Sequence, residues 1–350
     1  MTVQNRIVQD VLNDDLDTRQ KEMTMSEQNL NPLTGYHHMT MVTKHAPTNA
    51  RFYCDTLRLR LVKKTVNFDM PHTYHLYYGD AEGSSGTLLT FFEWPNAEPG
   101  RTGWGGTHHI ALSVGSGASL AWWRGHLERE GLDVQGPFDD HGYPTIRFRD
   151  PDGLILELSA PAGDDVPDGA PALWADGLAI GALHHVSIQA TTRETAVVYY
   201  RDLLGFDLTD EGTNPDHPLL TDLIFTLASD DDGATMRLLV TVVGREQVER
   251  AVDGPGQTHH IAFGALDDSV ELAWQERLAQ AGISVSDVRD RSYFHSIYFN
   301  DPDGHLLEIA THNPGFATDE PLDSLGERLS LPPQYEERRE QLERTLTPLG

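Results

Sequence analysis

The 350-residue sequence contains one cysteine, Cys54, and few basic residues. A single cysteine excludes intramolecular disulfides and any cysteine-based zinc site, and it fits a reducing compartment. Lysine and arginine number 26 against 54 aspartates and glutamates, a net charge of −28, so the protein repels nucleic acid and anionic membranes. No run of about 18 apolar residues occurs, so we expect neither a membrane span nor a signal peptide. These features predict a cytoplasmic protein.

The acidic residues are dispersed along the chain rather than collected in one tail. This distribution predicts a solvated acidic surface. We interpret it as adaptation to a salt-rich cytoplasm, against the alternative of an ordinary acidic protein.

Four His-His pairs mark a fourfold repeat. They lie at 37–38, 108–109, 184–185 and 259–260, and each opens a strand-like segment. The second and fourth copies agree in register, since His260 follows His109 by 151 residues and Glu308 follows Glu157 by the same interval. Such a period identifies repeated structural units, so we divide the chain into modules 1 to 4.

Each module reads as one strand, one helix and three further strands. Alternating runs rich in Val, Thr and aromatic residues predict the strands. Apolar residues at helical spacing predict the helices, as in ASLAWWRGHLEREG and SVELAWQERLAQAG. In module 1 the helix has Thr48 as a candidate N-cap. The predicted fold class is α+β, with four βαβββ modules that form two paired-module domains.

The composition suggests five parts of the chain. They are an N-terminal arm (1–33), an N-terminal domain of modules 1 and 2 (34–160), a linker (161–180), a C-terminal domain of modules 3 and 4 (181–314) and a C-terminal tail (315–350). The linker is rich in Pro, Gly and Asp, which is typical of a boundary. Alternating Arg and Glu in the tail predict an exposed helix with ion pairs, on the surface or in a contact of a homo-oligomer.

Histidines on first strands and glutamates on last strands can converge on the concave face of a curved sheet. Two imidazoles and one carboxylate, with coordination positions left open, hold the metal of non-haem Fe(II) oxygenases. Modules 2 and 4 carry the glutamate, whereas modules 1 and 3 have no acid at that strand. Pairing of neighbouring modules leaves two ligand sets open: His38 with His109 and Glu157, or His185 with His260 and Glu308.

Module 4 alone places a cation and a phenol ahead of its glutamate. The positions 151 residues before Arg291 and Tyr298 are Asp140 and Arg147, so module 2 puts an acid beside its own carboxylate. A cation stabilises a bound phenolate or superoxide, and tyrosine relays protons. This difference favours catalysis at Glu308, while a second metal site in module 2 stays open.

Several strings resemble one group of enzymes. HHMT at 37–40, KKTVNFD, TYHLYYGD and SIYFNDPDGHLLEIAT resemble the hydroquinone ring-cleaving dioxygenases of the vicinal oxygen chelate superfamily, which includes glyoxalase I and the extradiol dioxygenases. The resemblance covers roughly residues 35 to 348. It implies that the protein uses Fe2+, with Mn2+ as the alternative ion, to open a para-hydroquinone ring with O2.

The resemblance also implies which residues form the site. The metal ligands would be His38 of HHMT, His260 of THHIAF and Glu308 of LLEIAT. The residues expected to assist catalysis around them are His37, Thr40, His259, Arg291 and Tyr298.

Three other functions stay open at this point. The protein could be a catechol extradiol dioxygenase, a glyoxalase-type metal-dependent lyase or isomerase, or a protein that sequesters a small molecule. The glyoxalase-type reaction needs a second carboxylate at the metal, and module 1 has Thr90 where that acid should lie. The expected partners are a small aromatic substrate and O2, with no nucleic acid and no membrane.

Overall fold

The four modules have the predicted order of one strand, one helical segment and three strands. The computed structural model describes residues 32–68, 70–161, 178–228 and 235–349. The predicted arm and linker lie almost entirely outside the described residues. Within them, the α+β architecture of four βαβββ modules is confirmed.

The elements of each module are as follows. Module 1 contains β1 (Tyr36–Thr43), α1 (Ala46–Arg51), β2 (Arg60–Val66), β3 (Tyr74–Gly79) and β4 (Leu88–Glu93). Module 2 contains β5 (Thr107–Val114), α2 (Gly117–Arg129), β6 (Gln135–Asp140), β7 (Tyr143–Arg149) and β8 (Ile155–Ser159). Module 3 contains β9 (Ile180–Ala190), α3 (Arg193–Ala196), β10 (Asp207–Thr213), β11 (Thr221–Ala228) and β12 (Thr235–Val242). Module 4 contains β13 (Thr258–Ala265), α4 (Asp268–Gln280), β14 (Arg289–Asp290), β15 (Phe294–Asn300) and β16 (Leu306–Pro314).

Short helical segments complete the structure. Wider π-helical turns extend α1 through Phe52–Thr56 and α3 through Val197–Leu203. In the tail, a 3₁₀ segment at Pro333–Arg338 leads into α5 (Arg339–Thr345), where Arg339 lies 3.2 Å from Glu343 as the Arg/Glu pattern predicts. Among the described residues, no helix is both long and apolar enough to cross a bilayer.

The strands form two eight-stranded sheets. Sheet I joins modules 1 and 4 in the order β14-β15-β16-β13-β1-β4-β3-β2, and sheet II joins modules 2 and 3 in the order β10-β11-β12-β9-β5-β8-β7-β6. Antiparallel pairs β1·β13 and β5·β9 form the two seams. Modules 1 and 2 (34–160) therefore lie in different sheets, as do modules 3 and 4 (181–314), so the pairing is not between neighbouring modules.

The connections between modules run beside each other. Isolated bridges join Arg101 to Val252 and Trp104 to Arg250, so the link from module 1 to module 2 lies along the link from module 3 to module 4. A Cβ on Gly103 would overlap the carbonyl oxygen of Glu249, so only glycine permits this approach. The segment RTGWGG (101–106) therefore belongs to a connection between modules.

Helical segments of the odd modules bind turns of the even modules. The Tyr53 hydroxyl donates a hydrogen bond to Asp150 over 3.2 Å, and the Tyr200 hydroxyl donates one to Asp301 over 2.8 Å. Both tyrosines belong to a hydrophobic core that contains residues of both sheets. These contacts fasten sheet I to sheet II.

One detail of a helix differs from expectation. The N-cap of α1 is His45, whose side chain accepts a hydrogen bond from the backbone N–H of Thr48, so Thr48 lies inside the helix. The ring nitrogen replaces the hydroxyl or carboxylate oxygen that is usual at this position. By contrast, α2 has a serine cap, Ser116, and is followed by Gly131 at φ 86°, a conformation that favours glycine.

Candidate metal centre

Three strands of sheet I bring together the ligands implied by the resemblance. His38 lies on β1, His260 on β13 and Glu308 on β16. In the seam between β1 and β13, Thr40 opposes His260, and in the parallel pair of β13 with β16, Ala262 opposes Glu308. This register places the three side chains on one face, because alternate residues of a strand point to the same side.

The three donor groups lie within contact of one another. His38 Nε2 is 3.2 Å from His260 Nε2 and 3.4 Å from Glu308 Oε2, and His260 Nε2 is 2.8 Å from the same oxygen. All three residues are buried. Their arrangement is that of a potential metal site with two nitrogens and one carboxylate.

The carboxylate of Glu308 fits a metal ligand. Both of its oxygens are buried without a hydrogen-bond partner among the described residues. Burial by itself raises the pKa of Glu308, but the adjacent His38 and His260 hold that pKa well below its usual range. An ionised carboxylate without hydrogen bonds is costly in the interior, and a bound cation offsets that cost.

The histidine that precedes each ligand supports the ring of that ligand. His37 Nδ1 lies 2.8 Å from His38 Nδ1, and His259 Nδ1 lies 2.8 Å from His260 Nδ1. A ligand ring that donates from Nδ1 carries no proton on Nε2, which is the form that binds metal. Burial, assisted by His260, lowers the pKa of His259 to about 4, so this ring stays neutral and can accept the hydrogen bond.

Arg291 and Tyr298 lie beside the carboxylate, as the sequence analysis expects. Tyr298 on β15 pairs with Glu308 on β16, and its ring lies 5.7 Å from that of His260. Arg291 Nε donates to the Tyr298 hydroxyl over 3.1 Å. Burial, with the charge of Glu308, raises the pKa of Tyr298 well above its usual value, so the phenol keeps its proton. The guanidinium binds the phenol and leaves both oxygens of Glu308 free.

Thr40 connects to a chain of polar side chains that the sequence analysis missed. Its hydroxyl is 2.7 Å from that of Thr90, which lies 3.2 Å from His75 Nε2. His75 Nδ1 in turn is 3.0 Å from the Tyr77 hydroxyl. The alternation of His75 and Tyr77 in TYHLYYGD was the available signal, since it places both on one face of β3.

Aromatic rings border the centre on two sides. Phe294 lies 5.3 Å from His38, and Phe92 lies 6.4 Å from His260, measured between ring centroids. Flat apolar walls beside a polar metal centre suit an aromatic ligand that carries an ionisable hydroxyl.

The ligand sets built from neighbouring modules do not form. His109 and Glu157 lie in sheet II with His185, away from His38 and His260 of sheet I. The reason is the pairing of module 1 with module 4, which separates neighbours in the chain. A second group of metal-binding residue types therefore lies in sheet II, and it includes Asp140.

Comparisons with known proteins agree with this architecture. Residues 35–158 and 182–309 each match the model of the Glyoxalase/Bleomycin resistance protein/Dioxygenase superfamily. The chain is 36% identical over 320 residues to MhqO of Bacillus subtilis (strain 168), which is named as a ring-cleaving dioxygenase, with 90% of this chain and 96% of MhqO covered. It is 30% identical to the chlorohydroquinone/hydroquinone 1,2-dioxygenase of Sphingobium indicum, over 89% of this chain and 95% of that protein. A crystal structure of a Bacillus subtilis protein described as a dioxygenase matches with a TM-score of 0.78 at 34% identity, over 91% of this chain and 98% of that one.

Proposed function

The chain belongs to the Glyoxalase/Bleomycin resistance protein/Dioxygenase superfamily, and we propose that it is a ring-cleaving dioxygenase that opens a para-hydroquinone with Fe2+ and O2. The observation that carries this proposal is the buried three-donor centre of His38, His260 and Glu308. Two histidines and one carboxylate leave several coordination positions open for substrate and oxygen. The names of relatives that cover nearly the whole chain support the same reaction.

Fe2+ bound at this site would supply the redox chemistry between the hydroquinone and O2. His38, His260 and Glu308 would hold the ion. Mn2+ has similar preferences for these donors and is the alternative.

Arg291 and Tyr298 act on the substrate oxygen in this proposal. The Arg291 guanidinium stabilises the negative charge of the deprotonated hydroxyl. The Tyr298 hydroxyl accepts hydrogen bonds from Arg291 and from Ser296 Oγ, over 3.1 Å in each case, which fixes its position. Because its pKa is raised by burial, Tyr298 enters the reaction protonated and can donate that proton to a developing oxygen anion.

The remaining predicted residues have supporting roles. His37 and His259 orient the ligand rings through Nδ1 and are positioning residues. Thr40 belongs to the hydrogen-bonded chain that runs through Thr90 to His75. Burial, together with His38 and His260, lowers the pKa of His75 well below its usual value, so this imidazole is neutral and can relay a proton.

The donor set argues against a lyase or isomerase of the glyoxalase type. That reaction needs a second carboxylate at the metal, whereas the described residues of the sheet I cluster include one carboxylate, Glu308. Thr90 faces Thr40 across β1 and β4, where the additional acid would have to lie. A catechol-cleaving enzyme is the second candidate, because the same three donors suit a substrate with adjacent hydroxyls.

Oxygen uptake tests the proposal. The full chain is loaded with Fe2+ without air and then given hydroquinone, catechol or the adduct of methylglyoxal with glutathione. We expect uptake with hydroquinone and ring-opened product. Oxygen uptake with catechol alone would mean that the enzyme cleaves catechols rather than hydroquinones. Conversion of the adduct without oxygen uptake would indicate a lyase. No turnover despite bound iron would indicate a protein that sequesters a small molecule.

A matched pair of variants ties the activity to the centre. Glu308→Gln should lose iron retention and reduce turnover by about 1,000-fold or more. Glu271→Gln removes another buried carboxylate, on α4, and should retain both iron and turnover. A Glu308→Gln protein with full iron and full turnover would refute the assignment.

The cellular setting is part of the proposal. The net charge of −28 and the single cysteine support a reducing, salt-rich cytoplasm.

A further inference from the structure

Sheet II holds a second cluster of metal-binding residue types at the place that corresponds to the centre of sheet I. His109 on β5 and His185 on β9 face each other across the seam, with 3.0 Å between their Nε2 atoms. Glu157 on β8 brings Oε2 to 3.5 Å from His109 and 3.6 Å from His185. Asp140, the last residue of β6, brings Oδ2 to 3.3 Å from His185. We call these four residues the sheet II centre.

Two oxygens of the sheet II centre are buried without a partner. Asp140 Oδ2 and Glu157 Oε2 make no hydrogen bond among the described residues, although Asp140 is only 3% exposed and Glu157 is not exposed at all. Glu157 Oε2 lies beside the Nε2 atoms of both imidazoles, and Asp140 Oδ2 lies beside that of His185. A group of buried acceptors that face one another without a proton or cation between them is strongly unfavourable. A metal ion would be bound by all four groups at once.

Surrounding side chains orient three of the four donors for metal binding. His108 Nδ1 lies 2.8 Å from His109 Nδ1, and His184 Nδ1 lies 2.8 Å from His185 Nδ1, as at the centre of sheet I. Each ligand ring therefore presents Nε2 inward. Arg147 Nε donates to Glu157 Oε1 over 2.6 Å, which fixes the carboxylate and leaves Oε2 directed at the histidines. Such outer contacts are typical of metal ligands.

The donor types restrict the ion. Mg2+ and Ca2+ prefer oxygen ligands, whereas two imidazoles with two carboxylates suit Zn2+ and neighbouring divalent transition metals. Sites with four protein donors are closed and structural, whereas sites with three leave positions for substrate. We propose that His109, Asp140, Glu157 and His185 bind a second divalent transition-metal ion, a structural ion that holds module 2 to module 3. This inference does not depend on the reaction at the centre of sheet I.

Metal counting in the full-length chain tests the inference. The Glu308→Gln protein is stripped with a chelator, reconstituted with Zn2+, desalted, and analysed for bound metal by mass spectrometry. Adding His185→Gln to this protein should remove one ion per chain. Adding His126→Gln should remove none, because His126 is a buried histidine that bonds to the backbone oxygen of Thr56 outside both centres. An equal zinc content with and without His185→Gln would overturn the proposal.

A thermal measurement adds a readout that does not rely on one variant. Chelation should lower the Tm of the Glu308→Gln protein by several degrees, and Zn2+ should restore it, because an ion bound to the folded state stabilises that state. In the Glu308→Gln protein that also carries Asp140→Asn, chelation and Zn2+ should leave the Tm nearly unchanged. If His185→Gln does not fold, Asp140→Asn replaces it in the metal count. A Tm of the folded Glu308→Gln protein that does not depend on Zn2+ would also overturn the proposal.

Discussion

The centres of the two sheets are built on the same plan and differ in the residues beside the ligands. Each has two histidines from neighbouring strands and a glutamate from the last strand of an even module. In sheet II the fourth donor is Asp140, and the position 151 residues later is Arg291. In the two proposals, a carboxylate closes one centre and a cation keeps the other open to an anionic substrate. A change of charge at one repeated position would thus separate a structural site from a reactive one.

The arginines near the two glutamates, Arg147 and Arg291, bind different groups. Arg147 Nε binds Glu157 Oε1 directly over 2.6 Å, whereas Arg291 Nε binds the Tyr298 hydroxyl over 3.1 Å and leaves Glu308 free. Arg147 occupies the repeated position of Tyr298 itself. The sheet II glutamate therefore has one oxygen in an ion pair and Oε2 left for a metal, whereas the sheet I glutamate keeps both oxygens for a metal.

The largest effect should follow from giving sheet I the donor set of sheet II. Arg291→Asp removes the cation and adds a carboxylate that can fill an open coordination position. We expect oxygen uptake with hydroquinone to fall about 1,000-fold, with iron content retained. Arg291→Gln, the control, removes the cation alone and should cost about 100-fold. Equal losses in the two variants would show that the new carboxylate does not reach the metal.

A smaller effect should follow from removal of the phenol that distinguishes sheet I. Tyr298→Phe deletes the proposed proton donor and the hydrogen bond with Arg291. We expect kcat to fall about 100-fold while iron content is unchanged, because the ligands are not touched. Tyr199→Phe loses a buried hydroxyl that binds the backbone of Asn300, and it should keep kcat. An unchanged kcat in Tyr298→Phe would remove this residue from the proton transfer.

The smallest effect should follow from substitutions in the two repeated turns, where Asp150 and Asp301 accept hydrogen bonds from tyrosines of the helical segments. Burial, with the charge of Asp152, raises the pKa of Asp150 to about 7. Burial also acts on Asp301, but the charge of His305, 2.7 Å away, outweighs it and lowers the pKa of Asp301. The unfolded pKa of aspartate is about 3.9.

These shifts have opposite signs for stability. Asp150 stabilises the fold below about pH 4, and this contribution is lost as the pH rises towards about 7. The contribution of Asp301 is present above about pH 4 and is lost as the pH falls. Between pH 4 and 7, the free energy of unfolding of Asp150→Asn should therefore rise relative to the unmutated chain, by about 1–3 kcal/mol, and that of Asp301→Asn should not. Urea unfolding across this range measures both, and parallel curves for the two variants would contradict the assignment.

Much of the fold could be predicted from local patterns. The module order and most strands followed from residue alternation, because alternation is a property of neighbouring residues. The second strand of module 4 is reduced to Arg289–Asp290, because none of the side chains at 283–290 is buried. The cap at His45 was missed because imidazole is rare there.

Only part of the site could be predicted from the sequence, because the site depends on contacts between strands that are distant in the chain. His38, His260 and Glu308 were suggested by resemblance, while reasoning from the repeat alone paired neighbouring modules. His75 was not expected near a metal, because it reaches the sheet I centre through the curvature and pairing of that sheet. Asp140 was expected beside Glu157, but its contact with His185 follows from the pairing of module 2 with module 3.

The sequence by itself determined the modules, their repeat, and which of them carry a glutamate, since these depend on residue types and spacing along the chain. The tertiary structure decided which modules share a sheet, and hence which histidines meet which glutamate. The first strand of every module has a similar edge available for pairing. The local sequence therefore does not select which two modules pair, and long-range contacts decide it. In this protein the adjacent connections, with Gly103 against Glu249, accompany the pairing of module 1 with module 4.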